Sequence, residues 1–349
     1  MNLTPTVRRI AVLALAALLA ACQDAPPVAP PAQTAVAPGG GQDRVAGWFQ
    51  QASPAVLALG GTVFADHDEV ANRLVFGVEH AAAIPGVERA LARLGIPSSA
   101  YTVQVTAPIH QVATLRDRFR PTRGGTQIHF SQYLCTMGFN VTFNGGRSFI
   151  TNSHCTKTQG GTEGTKYYQP TSFVDPTVIA TEAADRQYFQ GGACPQGRKC
   201  RYSDAARAAY SSSVSSTRGA IAKTTGANNK SLTVGGTFTV TAQDNTTTRF
   251  SIGTTVNKVG RTTGWSQGKV TNTCVNTNVS GTNITQLCQT FVSAGVGAGD
   301  SGSPVFRVTS GDNVTLVGIL WGGSSDGKLF VFSPLKQIQQ ELGAVTATK

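Results

Sequence analysis

Charged and aromatic side chains are scarce in this chain of 349 residues: Asp, Glu, Lys and Arg make up 13% and Phe, Trp and Tyr only 7%. So little charge argues against coiled coils and helical bundles, and a hydrophobic content of 40% argues against a wholly disordered chain. No long apolar run suggests a polytopic membrane protein; the stretch from Ile10 to Ala21 covers twelve residues, too few to cross a bilayer. There is no Cys-x-x-Cys pair and only His154 stands beside a cysteine, so zinc is disfavoured and no metal or cofactor is expected. No basic run is interleaved with aromatics, which excludes nucleic acid as the expected partner. What the chain has in quantity is Gly, Ser, Thr and Asn, the residues of turns between many short strands.

Arg8 and Arg9 precede the apolar run, and Leu19-Ala20-Ala21-Cys22 closes it, so residues 1–21 read as an export signal. That ending resembles the bacterial lipobox, which implies a diacylglycerol on Cys22 and an anchored but otherwise soluble chain. Gln23 in place of aspartate leans toward the outer membrane. An ordinary cleaved signal with a coincidental cysteine is the alternative, so the expected location is exported, either anchored in the outer membrane or secreted after processing. The membrane is touched only through the lipid. Residues 22–42, rich in Ala, Pro and Gly, read as an extended tether.

Apart from Cys22 there are six cysteines: Cys135, Cys155, Cys194, Cys200, Cys274 and Cys288. In an exported protein an even set reads as three disulfides whose connectivity the sequence leaves open. Pairing nearest neighbours closes loops of twenty, six and fourteen residues, and a loop of about fifteen is worth roughly 3 kcal/mol in the chain-entropy view.

Composition shifts near residue 123. Residues 43–123 contain arginine but no lysine and no cysteine, whereas all the lysines and all six paired cysteines follow. Within 22–123 eight arginines balance eight acidic residues, while 124–349 carries nineteen basic against ten acidic side chains, an excess that reads first as a soluble surface of one sign and second as suited to an anionic surface or acidic substrate. In the first region Arg73 to Val78 and Tyr101 to Thr106 read as strands around a helix with Pro85 in its first turn. Val87, Leu91 and Leu94 share a face of that helix and Gly95 stops it. From Gly124 the pattern is all-β. Strands are expected at Tyr133 to Phe143, Ser148 to Thr151, Gly236 to Ala242, Thr255 to Val259, Val314 to Leu320 and Leu329 to Phe332, then a closing helix from Leu335 to Leu342 stopped by Gly343.

The chemistry is concentrated in three places. Gly295 to Phe306 holds Asp300-Ser301-Gly302 in a loop of small residues running into an apolar strand, and a serine hydroxyl needs a base and fixed N–H donors to act as a nucleophile. Thr151-Asn152-Ser153-His154-Cys155 supplies an imidazole at a strand end, able to shuttle a proton. Asp204, followed by Ala205 and Ala206, suits a buried carboxylate that orients the ring. By contrast Asp175, Asp185 and Asp244 read as exposed turn residues, and His67, His80, His110 and His129 as surface or packing residues.

At these residues the chain, from about Gly124 to Lys349, resembles the chymotrypsin-like serine proteases, particularly the bacterial streptogrisin and glutamyl-endopeptidase-like branches. The order His, Asp, Ser with gaps of 50 and 97 residues is that family's, not that of subtilisins or α/β-hydrolases. The resemblance implies two packed six-stranded antiparallel β-barrels with a C-terminal helix, preceded by a small α+β prodomain. It implies that His154 is the general base and acid, that Asp204 orients it, that Ser301 attacks, and that the N–H groups of Gly299 and Ser301 form the oxyanion hole. Asp300 would pair with a cation or amine, and Cys135 would bridge to Cys155. Leu320, Trp321, Gly322 and Gly323 would line the substrate cleft, with Trp321 where many members carry a serine that supports the aspartate. Gly295 stands where trypsin-like members put a pocket-floor aspartate, and Leu320 where glutamate-specific members put a histidine, so cleavage after apolar or small residues is expected. The region before residue 123 would be a prodomain, with Arg116 to Arg123 as its cleavage stretch. Protein or peptide substrates and a monomeric state follow. The alternative is a catalytically silent homologue binding peptides or cell-surface polymer through the same groove; a structural envelope lipoprotein is a third reading.

Overall fold

The computed structural model describes residues 42–109 and 111–349. The signal segment, Cys22 and most of the tether lie outside the described residues, as does His110. The chain divides into two compact units, Met1–His110 and Gln111–Lys349.

The first unit has helix α1 (Gln42–Leu57), strands β1 (Thr62–Asp68) and β2 (Arg73–Val78), helix α2 (Ile84–Arg93) and strand β3 (Tyr101–Val105). β2 pairs antiparallel with β1 and parallel with β3, and α2 is the crossover that a parallel pair requires. Val87 and Leu91 of α2 are buried with Leu74, Phe76 and Val78 of β2, as their spacing predicts. Gly95 ends the helix at φ +71°, a conformation glycine adopts without strain. Helix α1 was not legible in the sequence. Val45, Ala52 and Val56 make a buried face, but Gly47 and Pro54 interrupt the helical pattern.

The second unit is all-β with a closing helix. Its strands are β4 (Thr122–Gly124), β5 (Gln127–Phe130), β6 (Tyr133–Thr136), β7 (Phe139–Phe143), β8 (Gly146–Thr151), β9 (Lys166–Tyr167), β10 (Ala180–Asp185), β11 (Lys199–Arg201), β12 (Ala206–Tyr210), β13 (Ser216–Thr224) and β14 (Val234–Gln243). There follow β15 (Thr255–Gly260), β16 (Gly264–Asn278), β17 (Ile284–Ser293), β18 (Pro304–Ser310), β19 (Asn313–Gly323), β20 (Phe330–Pro334) and helix α3 (Leu335–Leu342). One core, with Ile128, Met137, Phe149, Tyr167 and Ala208, fills the first barrel; a second, with Val256, Val292, Val305, Leu320 and Phe332, fills the other. A third lies between them and under α3, where Phe139, Ile150, Phe238, Phe306, Leu335 and Ile338 meet.

Strand pairing is less regular than six plus six. A five-stranded sheet and the β5–β6 hairpin form the first body, and ten strands join in the second because the short β4 and β11 add to it as parallel pairs. The single strand expected from Tyr133 to Phe143 is broken at Met137 and Gly138. A Cβ on Gly138 would lie 2.8 Å from the Gly302 carbonyl oxygen and 2.5 Å from that of Ile150, so the break admits the serine loop.

The boundary expected near residue 123 falls instead after residue 110. Leu115 is fully buried in the second unit's central core, and Arg118 and Arg120 pair with Asp175 at 2.6 and 2.9 Å. The stretch Arg116 to Arg123 is therefore built into the second unit.

Candidate active site

His154 lies in a single 3-10 turn, Ser153–Cys155, directly after β8, and the Cys135–Cys155 disulfide ties that turn to β6. Asp204 sits between β11 and β12 with its side chain 2% exposed. The two are joined through His154 Nδ1 and Asp204 Oδ2, and the His154 backbone N–H donates to Oδ1 at 3.2 Å. The loops are also laced together, because Ser153 N–H and the Asn152 amide donate to the Asp204 carbonyl at 3.2 and 2.7 Å. An ionised carboxylate only accepts, so Nδ1 carries the proton and the neutral ring leaves the Nε2 lone pair free. Burial pushes the imidazole pKa down, but the Asp204 charge and hydrogen bond outweigh it, and the net shift is upward. Burial likewise pushes Asp204 up, while His154 and then Arg201 pull it below the ordinary carboxylate value.

Ser301 belongs to the second barrel, yet its loop is docked on the first. Thr136 N–H donates to the Ser301 carbonyl at 2.8 Å and Thr136 Oγ1 to the Gly299 carbonyl at 2.8 Å. Gly302 has φ +93°, and a Cβ there would meet the Thr136 carbonyl oxygen at 2.0 Å. Ser301 and His154 line one cavity of about 220 Å³ with Phe130, Tyr133 and Leu134. No hydrogen bond joins the Ser301 hydroxyl to the ring among the described residues, a gap that substrate binding commonly closes. Gly299 has φ +92°, and neither its N–H nor that of Ser301 has an acceptor among the described hydrogen bonds. Between them Asp300 points inward to Lys258 Nζ at 2.8 Å, as the expected buried ion pair.

On its other side Ser301 opens on a cavity of about 330 Å³ walled by Val296, Ala298, Leu320, Gly322 and Gly323, with no charged side chain in its lining. Gly295 lines an adjoining cavity of about 560 Å³ that shares Val296, Gly297 and Gly327 with this one and also has Lys230 and Asp326 in its lining. Trp321, next to Leu320 on a strand where neighbours face opposite ways, turns aside and donates its indole N–H to Gln289 Oε1 at 2.8 Å. The same oxygen accepts from the Ser333 hydroxyl at 2.8 Å, and Ser333 Oγ accepts the Asp204 N–H at 3.1 Å. Support for the aspartate thus arrives through its backbone.

Other expectations are corrected. Asp175 and Asp185 are buried ion-pair members, not exposed turn residues: Asp175 pairs with Arg118 and Arg120, and Asp185 with the fully buried Arg201. Asp244 does sit in a turn, accepting from Thr246 and Thr247, but it is not exposed: its side chain is largely covered and lies 3.7 Å from Arg307. His129 is buried by packing, 6.0 Å from the Tyr168 and Phe173 rings. Cys194 bridges to Cys200 and Cys274 to Cys288, so all three pairings are nearest neighbours. Among the described residues Cys135, His154 and Cys155 bring three atoms of metal-ligating kinds together, but the two sulfurs are bonded to each other. Sequence reasoning missed Lys258, Arg201, Gln289, Ser333 and Glu341. Only Lys258 had a local signal, as a lone cation between Val256 and Val259.

No family model and no curated protein matches the chain. Among solved structures it is similar to Thermobifida fusca protease A, at 23% identity over 65% of this chain and 98% of that one, with a TM-score of 0.46. It is similar to a glutamic acid specific serine protease at 23% over 65% and 100%, TM-score 0.46. Nocardiopsis protease aligns at 21% over 65% and 98%, TM-score 0.46.

Proposed function

We propose that the chain is an exported serine endopeptidase that cleaves peptide bonds through Ser301, His154 and Asp204. The observation that carries this reading is the convergence of three sequence-distant groups. A buried carboxylate holds Nδ1 of an imidazole, the imidazole shares a cavity with a serine, and two unpartnered N–H groups flank that serine. In the proposed reaction the peptide carbonyl sits beside Ser301. His154 Nε2 takes the hydroxyl proton as Oγ bonds to the carbonyl carbon, and the negative oxygen is met by the Gly299 and Ser301 N–H groups. The imidazolium then protonates the departing amine; His154 next deprotonates a water that bonds to the acyl carbon, the acyl–Oγ bond breaks, and the acid leaves as Ser301 regains its proton. The uncharged cavity beside Ser301 favours an apolar or small side chain before the cut. Val296 packs closely on one wall of it, its Cγ1 lying 2.5 Å from where a Cβ on Gly323 would be.

In this reading the signal segment directs export, Cys22 carries the lipid, and the first unit is a prodomain. A silent homologue would have no need of a polarised imidazole beside an open pair of N–H donors. The test is hydrolysis of a mixed peptide library. Wild type should cut after apolar or small residues, and Ser301→Ala or His154→Ala should lower turnover by several powers of ten. Near-normal hydrolysis by Ser301→Ala would remove the assignment.

A further inference from the structure

Behind the catalytic loops lies a buried ionic cluster that the proposed reaction does not use. The Arg201 and Asp185 side chains are wholly buried and paired, and Arg201 Nη2 also donates to Glu341 Oε2 at 3.1 Å and to the Ala205 carbonyl at 2.8 Å. Burying charges is costly, and apolar replacements of such sets are frequently no less stable. Stability is therefore a weak reason for the cluster, and what it touches gives a stronger one.

Glu341 stands in the last turn of α3. Its Oε1 accepts the Tyr202 N–H at 2.8 Å, and its Oε2 accepts the Ser203 N–H at 3.2 Å and the Ser203 hydroxyl at 2.6 Å. With the Arg201 contact, the three residues that lead into Asp204 are all fastened to one carboxylate. On the other side Asp185, at the end of β10, accepts the Ser153 hydroxyl at 2.7 Å and the Gly160 N–H at 3.0 Å through Oδ2. Ser153 is the residue before His154. The segment that presents the aspartate and the segment that presents the histidine therefore rest on a single cation, Arg201. Around it stand Asp185, Glu341, Asp204 and the Tyr188 ring, whose centroid is 5.7 Å from the guanidinium. Lys199 lies 4.8 Å from that centroid, and Glu182 stands beyond Asp185.

We propose that Glu341, Arg201 and Asp185 are positioning residues for the His154–Asp204 pair, with α3 acting through Glu341 as the brace of the aspartate loop. The role rests on the serine protease reading above. Misplacing a catalytic group by about 1 Å can cost roughly 100-fold in rate, so bracing from both sides has a kinetic purpose.

The test uses the exported full-length protein, with active serines counted by a fluorophosphonate so that unfolded molecules do not enter the rate. Glu341→Gln keeps the shape but replaces one acceptor oxygen with a donor and removes the charge. Per labelled serine, kcat should fall about 10- to 100-fold. KM for one peptide should stay within about twofold, because the cavity from Val296 to Ser301 is untouched. The acid limb of kcat/KM should move to lower pH, since a loosened Asp204, whose charge and hydrogen bond raise the imidazole pKa, is a less firm partner for the imidazolium. Gln340→Ala, on the exposed face of the same helix, should change none of these. If Glu341→Gln does not fold, Ser203→Ala removes one of the hydrogen bonds and should show the same signature at about threefold. A lower melting temperature with an unchanged per-serine kcat and an unchanged acid limb overturns the role. Wild type that labels no serine once folded and processed overturns the protease reading, and this role with it.

Discussion

Lys258 reaches Asp300 across 42 residues of sequence, and neither side chain is exposed. The carboxylate also accepts from the Thr262, Thr263 and Gly297 N–H groups at 2.9, 3.1 and 3.0 Å and from the Thr263 hydroxyl at 2.6 Å. Burial pushes Asp300 up, but Lys258 and these donors hold it below its ordinary value. Burial also draws Lys258 down against the pull of Asp300. Because Asp300 lies between the two N–H groups proposed as the oxyanion hole, this pair fixes their direction. Lys258→Met should leave a buried carboxylate without its cation and cost about 3–5 kcal/mol, and molecules that still fold should label poorly at Ser301. Thermal unfolding together with probe labelling checks both, and full stability with full labelling would separate the pair from the site. Ser301, Asp300, His154 and Asp204 were legible in the sequence because each sits in a short motif bounded by Gly, Cys or Ala. Gln289, Ser333 and Glu341 were not, because their partners come from distant strands and nothing local distinguishes them from surface polar residues.

Strands and helices were legible where burial is one-sided. The face of α2 through Val87 and Leu91 and that of α3 through Leu335, Ile338 and Leu342 both follow helical spacing, and both helices end at a glycine with positive φ. The long hairpin of β16 and β17 was hidden by its polar content, since Gln286, Gln289 and Thr290 are buried among the strands. Polar burial also gives β10 a pH-sensitive carboxyl. Glu182 Oε2 accepts three successive N–H groups from Glu163, Gly164 and Thr165 at 3.3, 3.2 and 3.1 Å, while its Oε1 has no partner. Burial raises its pKa to about 7 despite those donors, with Glu163 and Asp185 adding repulsion. An acid raised on folding contributes its stability below its unfolded pKa and loses it as pH rises through the folded value. Glu182→Gln should therefore match wild type at about pH 4 and exceed it by about pH 8, by up to about 3 kcal/mol. Urea unfolding at the two pH values measures this, and a pH-independent difference would contradict it.

At the scale of the whole molecule, residues 107–112 are the stretch between the units, without hydrogen bonds among its described residues and with Ile109 and Val112 79% and 72% exposed. Brief thermolysin digestion should cut there and leave a resistant fragment carrying Leu115 onward, while trypsin should be slow at Arg120 and Arg123. Early tryptic cleavage at those arginines would contradict the boundary drawn after residue 110. The division near residue 123 looked natural in composition because lysine and cysteine begin after it. Packing ignores that change: Leu115 N–H bonds the Leu232 carbonyl, and Arg116 Nε bonds that of Arg261. The proposed function depends on both barrels delivering their groups to one cleft, His154 and Asp204 from one and Ser301 from the other. The most direct test is to map, by peptide mass spectrometry, the site at which a fluorophosphonate bonds to the folded protein across a range of pH. The account predicts a single adduct on Ser301, lost in His154→Ala, whose formation rate falls as pH drops through a histidine pKa above the ordinary value. An adduct on another residue, or none on folded and processed protein, would contradict it.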